Sequence, residues 1–445
     1  SDYYLWFLPI VFLLTFTVGH KQKRRQIGIL MVSSYVFFWF ASGWHMLLLL
    51  TSTLVDWTAG KKIHESEDQK IRKRWLMGSL TLNLGLLAVF KYLDFLIESW
   101  NWASLRIDGA PEIDTLGLLL PVGISFYTFQ TMSYTIDIYR RKNKPYDDFL
   151  SFSCYAAFFP QLVAGPIVRA EHFRKEIEEP LTPDPMRFRL GLTLIVYGLA
   201  KKLIIADNVA IHVNEIFVEG APLDNLGLVW WGAVAFGIQI YCDFSAYTDI
   251  AIGSALLFGI RLPENFDSPY AATSPQDFWR RWHISLSTWL RDYLYIPLGG
   301  SRNGPRVMLF ALMMTMLLGG LWHGASWNFV LWGLLHGLLL IGHRWLKKRQ
   351  LIQTMFERLP KTAPVVGWIV TQYFVFMTWL VFRVEDTSIL IPSLKTFVGM
   401  NAHWDTLEMY NALPEIKYLT FGIAILFFIG HFISWKMGGL KHWIA

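Results

Sequence analysis

About a dozen apolar runs, most of them near the roughly 20 residues that a helix needs to cross a bilayer, leave this chain few ways to fold. They lie at about 4–19, 27–43, 46–60, 76–98, 116–138, 150–168, 187–205, 226–258, 308–322, 326–346, 364–383 and 415–435. In hydrocarbon every backbone N–H and C=O must be satisfied within the protein, and helices do this segment by segment. The expectation is an all-α polytopic membrane protein. With 53% of 445 residues hydrophobic, one membrane domain over 1–445 is simpler than two or three soluble domains.

Charge supports this reading. The net +6 sits in clusters between runs: KQKRR at 21–25, KKIHESEDQKIRKR at 61–74, RRKNK at 140–144, KK at 201–202 and HRWLKKR at 343–349. Such clusters mark cytoplasmic loops, not a nucleic-acid footprint. With the first loop inside, residue 1 faces outside and the 61–74 loop is again cytoplasmic. Beyond residue 226 the parity stays open, because 226–258 fits one tilted helix or two. Leu5 to Val18 has no basic segment before it and no small-residue cleavage site after it, so it reads as the first span. Cys154 and Cys242 lie in apolar surroundings and indicate neither a disulfide framework nor a thiolate metal site.

Several runs are interrupted. Pro121, and Pro160 with Pro166 in FFPQLVAGPIVR, predict kinked or broken helices around an internal cavity, where protein or water satisfies the freed backbone. DFWRRWHISLSTWLRDYLY, from Asp277 to Tyr295, is short and amphipathic, and is expected to lie in the interface or re-enter.

Ionisable groups at membrane depth are costly, so they are functional candidates by default. His323 ends the apolar run MMTMLLGGLWHG, between Trp322 and Gly324. Its alternative is a neutral imidazole bonded to a backbone carbonyl. Gly319, Gly320 and Gly324 allow close approach of a backbone or ligand, or simply pack helices. His336 is 13 residues on, about 20 Å along a continuous helix, and shares a site with His323 only if the helix breaks sharply near Ser326. Otherwise it packs or gates. His283 stands among Trp279, Arg280, Arg281 and Trp282, where an aromatic belt with basic anchors is the alternative. Asp243 and Asp249, near Tyr241, Ser245 and Tyr247, suit a proton relay or a helix cap. No GxxxxGK[ST], GxGxxG, HExxH or GxSxG motif is present, so nucleotide hydrolysis, zinc proteolysis and a serine triad are unsupported.

YCDFSAYTDIAIG, LPENFDSPY, DFWRRWHISLSTWLRDYLYIPLGGSRNG and MLLGGLWHGASWNFVLWGLLHG together resemble the membrane-bound O-acyltransferase (MBOAT) family. The bacterial branch that modifies alginate and peptidoglycan is the nearest likeness. LLPVGISFYTFQTMSYTIDIYR and FFPQLVAGPIVR extend the likeness over about residues 30–345, leaving C-terminal helices at about 364–435. The resemblance implies a ring of about eleven or more transmembrane helices, with re-entrant or interfacial helices, around a central funnel. It implies catalytic His323 and His283, and a donor path lined by Trp279, Arg280, Arg281, Trp282, Trp322, Tyr241, Asp243, Asn328 and His336. One departure is Cys242 and Ala246, where alginate-type relatives usually carry Phe and Gly.

The expected activity is O-acyl transfer, most simply acetyl, from a cytoplasmic thioester to a hydroxyl of an exported or cell-wall polysaccharide. No bound cofactor or metal is expected; acetyl coenzyme A or an acyl carrier-protein thioester is the donor substrate. Membrane lipid, the polysaccharide and an extracytoplasmic SGNH-type acetyltransferase are the expected partners, at the bacterial cytoplasmic membrane. Arg280 and Arg281 suit the donor's phosphate, while His283 and its Trp neighbours position the thioester carbonyl. Neutral His323, with an ordinary pKa of about 6.5, is the general base, a role worth about 10²–10⁴ in rate. The competing class is a proton-coupled exporter or flippase using Asp243, Asp249 and the histidines.

Overall fold

A computed structural model describes residues 2–106, 111–162, 165–349, 357–358, 360–400, 402–413 and 417–438. Among these residues the chain is helical throughout its ordered elements, with an isolated bridge between Asn225 and His403 in place of strands. Seven helical segments within them are long and apolar enough to cross a membrane. The all-α polytopic class therefore stands. The chain divides into two compact units, 1–196 with 248–263 and 197–247 with 264–445.

The first unit contains α1 (Asp2–Thr17), α2 (Lys23–Ser42), α3 (Met46–Glu65), α4 (Gln69–Leu87), α5 (Leu93–Ser104), α6 (Ile124–Tyr139) and α7 (Phe149–Ala157). Asp68 starts α4 by accepting the Lys70 N–H at 2.8 Å, as an N-cap carboxylate does. Phe38, Leu49, Leu87, Ile124 and Tyr127 form one core, while Phe40, 84% exposed, shows the outward face of α2 to be apolar. That face suits lipid. Two expected spans are interrupted, as their prolines predict. The run at 116–138 becomes helical only at Ile124, because Pro121 disfavours helix before it and Gly123 turns the chain at φ 71°. The run at 150–168 breaks at Phe158 into α7 and the single turn Phe159–Leu162; residues 163–164 lie outside the described residues.

The second unit carries the candidate chemistry. A π-helical turn, Lys201–Ala206, joins α8 (Pro185–Ala200) to α9 (Asp207–Ile216), and α10 (Leu226–Leu257) follows. α10 is one continuous helix of 32 residues, which closes the one-or-two question; α8 and α10 each contribute residues to both units. Next come α11 (Pro275–Arg281), α12 (Ile284–Leu290), α13 (Pro305–His323), α14 (Trp327–Lys347), α15 (Ala363–Arg383), α16 (Thr387–Phe397), α17 (Thr406–Ala412) and α18 (Lys417–Lys436).

α13 and α14 pack back to back. A Cβ on Gly320 would collide with the Phe329 carbonyl oxygen and one on Gly333 with that of Met316, so these glycines serve helix packing. The α11–α12 stretch does not lie on a surface. Phe278, Trp282, Leu286 and Trp289 are all buried, and Phe278 and Trp282 join Trp332 and Trp379 in the unit's core.

Candidate active site

α11 is built to start and stop within two turns. Ser274 Oγ accepts the Asp277 N–H at 3.2 Å, Pro275 occupies the first turn, and Asp277 and Arg280–Arg281 sit at the ends the helix dipole favours. The chain then turns at His283, whose backbone is left-handed at φ 44° and ψ 56°. For a non-glycine residue that costs about 1–3 kcal/mol and survives only where neighbours over-determine it.

Asn265 is that neighbour. Its backbone carbonyl accepts the Ile284 N–H at 2.9 Å. Its Oδ1 accepts from Ser285 N–H at 3.1 Å and from Ser285 Oγ at 2.9 Å, and stands 3.1 Å from His283 Nδ1. A backbone N–H can only donate, so this side-chain atom is the amide oxygen and Nδ1 carries the shared proton. In the neutral ring Nε2 is therefore the basic nitrogen. A neutral imidazole in this tautomer offers an acceptor at Nε2.

His323 is the last residue of α13 and half-buried. Its ring lies 5.1 Å from Trp322, 5.2 Å from Trp332 and 5.4 Å from Phe382, centroid to centroid. The His283 ring meets Trp322 at 5.9 Å and Phe244 at 4.7 Å. Trp322 thus lies against both imidazoles.

The helix does break between His323 and Trp327, with Ser326 extended at the N-cap position although its side chain makes no cap bond. α14 folds back along α13, and this brings His336 near. The Trp332 ring touches both His323 and, at 4.5 Å, His336. His336 also meets Trp279 at 5.2 Å and is 1% exposed. Its Nε2 is 3.1 Å from Thr378 Oγ1, and Asn328 Nδ2 donates to the Val381 carbonyl at 3.2 Å.

The other expected residues lie as follows. Arg281 is committed: its Nε donates to Asp277 at 3.0 Å and its guanidinium to the Asp267 carbonyl at 3.1 Å. Arg280 is exposed. Asp243 pairs with Lys202 at 2.7 Å, and Lys202 also holds Asp207 at 2.7 Å, which makes Asp243 part of a half-exposed ion-pair network. Asp249 is six residues on, about 240° around the helix, so the two carboxylates do not share a face. Tyr241 sits 6.3 Å from Trp282 and 5.2 Å from His431, centroid to centroid. Among the described residues no group of three or more His, Cys, Asp or Glu is arranged to hold a metal.

Asn265, Thr378 and Trp332 were not singled out from sequence. Asn265 stands in LPENFDSPY beside Glu264, Asp267 and Ser268, and nothing in the sequence sets it apart from them. Thr378 looks like any hydroxyl in an apolar helix.

Known proteins are similar over this whole region. The sequence profile of the membrane-bound O-acyltransferase family matches residues 140–384, which include His283, His323 and the residues around them. The chain is 35% identical over 426 residues to the peptidoglycan O-acetyltransferase of Helicobacter pylori, covering 89% of this chain and 78% of that protein. It is 36% identical over 424 residues to the probable alginate O-acetylase AlgI of Pseudomonas aeruginosa, covering 95% and 78%. Similarity to the teichoic acid D-alanyltransferase of Streptococcus thermophilus is lower, 28% over 298 residues, covering 60% and 69%.

Proposed function

This chain belongs to the membrane-bound O-acyltransferase family, and from that premise we propose that it moves an acetyl group from a cytoplasmic thioester to a hydroxyl of an exported or cell-wall polysaccharide. In this reading His323 takes the proton of the attacking hydroxyl as the new ester bond forms. It returns that proton to the thiolate as the C–S bond breaks. His283, with its proton held on Asn265, presents Nε2 as a second acceptor that orients the incoming group. Trp279, Trp282, Trp322 and Tyr241 line the approach, and Asn328 and His336 flank Trp332 on α14. Arg280, exposed at the end of α11, is the cation for the donor's phosphate, a role that Arg281 is too committed to fill.

The observation that carries this reading is the contact of Trp322 with both imidazoles, one on the α11–α12 turn and one at the end of α13. Transfer ends on the polysaccharide directly or passes through an extracytoplasmic SGNH-type transferase, at a bacterial cytoplasmic membrane. The exporter reading is less well supported, because Asp243 is bound to Lys202. The test is purified protein with radiolabelled acetyl coenzyme A or acetylated carrier protein, with and without polysaccharide. Label released as acetate or found in ester linkage is expected. Polysaccharide transport in vesicles without any thioester turnover would replace this proposal with the exporter.

A further inference from the structure

Asn328, Trp332 and His336 are spaced four apart on α14 and so share one face. That face meets α15 through two polar contacts three residues apart: Asn328 Nδ2 with the Val381 carbonyl, and His336 Nε2 with Thr378 Oγ1. Trp332 sits between them, and its ring forms the wall 5.2 Å from His323. Thr378 Oγ1 lies 2.8 Å from the Val375 carbonyl, and with its single hydrogen donated there it accepts from His336 Nε2–H. A phenylalanine at 336 would fill the aromatic box of Phe278, Trp279 and Trp332 without the cost of burying an imidazole. What the imidazole adds is a fixed register of α14 against α15.

We infer that Asn328 and His336 are positioning residues: two polar pins on either side of Trp332 that hold its indole against His323, so that the imidazole keeps the orientation proton transfer needs. The inference rests on the reading of His323 as the base. Errors of about 1 Å in such a position cost up to about a hundredfold in rate.

The test is kcat and KM of the full-length protein with acetyl coenzyme A, alongside thermal unfolding. Thr378→Val removes the acceptor and keeps the volume. It should lower kcat about tenfold, with KM within about twofold. Thr378→Ser, which restores the hydroxyl, should recover most of that kcat. Asn328→Ala, from the other pin, should show the same loss confined to kcat. The inference is overturned if Thr378→Val turns over at the wild-type rate, if Thr378→Ser loses as much as valine, or if only one pin affects kcat. It is equally overturned if the loss merely follows the folded fraction. His323→Ala is measured in parallel. Normal turnover there would defeat the base assignment and leave the pins nothing to position, whereas lost turnover with an indifferent Thr378→Val would defeat the pins alone.

Discussion

Each unit buries a polar cluster among membrane helices, and the two are built on opposite plans. In the first, Asp56 of α3 is wholly buried, and its carboxylate accepts from Ser79 Oγ at 2.6 Å and from Asn83 Nδ2 at 2.9 Å to each oxygen. Ser52 Oγ completes the cluster at 2.6 Å from Asn83 Oδ1. Donors from α3 and α4 are used up on one another. In the second, the indole N–H groups of Trp279 and Trp332 and Nδ1 of His336 have no hydrogen-bond partner among the described residues. A buried carboxylate surrounded by its own donors fastens helices; polar atoms left without protein partners beside an imidazole are available to a ligand in the reading proposed above.

Four measurements bear on that contrast. The largest expected effect is on the fastened cluster. Asp56→Ala leaves the Ser79 hydroxyl and Asn83 amide unsatisfied, which should cost about 3 kcal/mol of stability at about 1–3 kcal/mol per stranded group. Turnover per folded molecule should stay normal; lost turnover at unchanged stability would break the contrast from that side. Asn265→Ala frees the proton on His283 Nδ1 and the left-handed turn, so turnover should fall about ten- to a hundredfold, more than stability alone explains. Asp243→Asn weakens a half-exposed ion pair that Asp207 still shares, and should change stability by less than about 1 kcal/mol and turnover hardly at all. A large loss of activity there would bring Asp243 back into the chemistry.

The smallest effect lies outside the spans. His403 Nε2 is 2.7 Å from Glu408 and Nδ1 is 3.4 Å from Asp224, and the His403 backbone donates to the Asp224 carbonyl at 3.0 Å and accepts the Leu226 N–H at 2.8 Å, at the start of α10. The hydrogen bond with Glu408, helped by the charges of Glu408, Asp224 and Asp405, raises the His403 pKa. Because the folded value lies above the unfolded one of about 6.5, the stabilisation is full below about 6.5 and fades as pH rises through the raised value. Unfolding temperatures recorded across that window should drift down slightly in the wild type and lose this component in His403→Ala.

Much of this was legible in the sequence because membrane helices write themselves in length and hydrophobicity. The spans at 226–258, 308–322, 326–346 and 364–383 fall on observed helices for that reason. The interruptions were legible as well, since Pro121 and Pro160 mark the runs in which α6 starts only at Ile124 and α7 stops before Phe158. His323 stood out as an ionisable group ending an apolar run and His283 as one among tryptophans and arginines, and their shared contact with Trp322 is a tertiary fact. Arg281 and Arg280 look alike in sequence, yet one is tied down by Asp277 and the other is exposed. Asp56 went unremarked beside the basic residues of the 61–74 loop. Its burial depends on Ser79 and Asn83 reaching it from the next helix.

The central claim, that His323 performs chemistry, is tested most directly by acetyl transfer from radiolabelled acetyl coenzyme A, comparing wild type with His323→Ala at matched folding and with donor binding measured separately. Turnover reduced by about 10²–10⁴ with donor binding intact is the expected result. Normal turnover by His323→Ala would contradict the account and return His323 to the role of a packed imidazole at the end of α13.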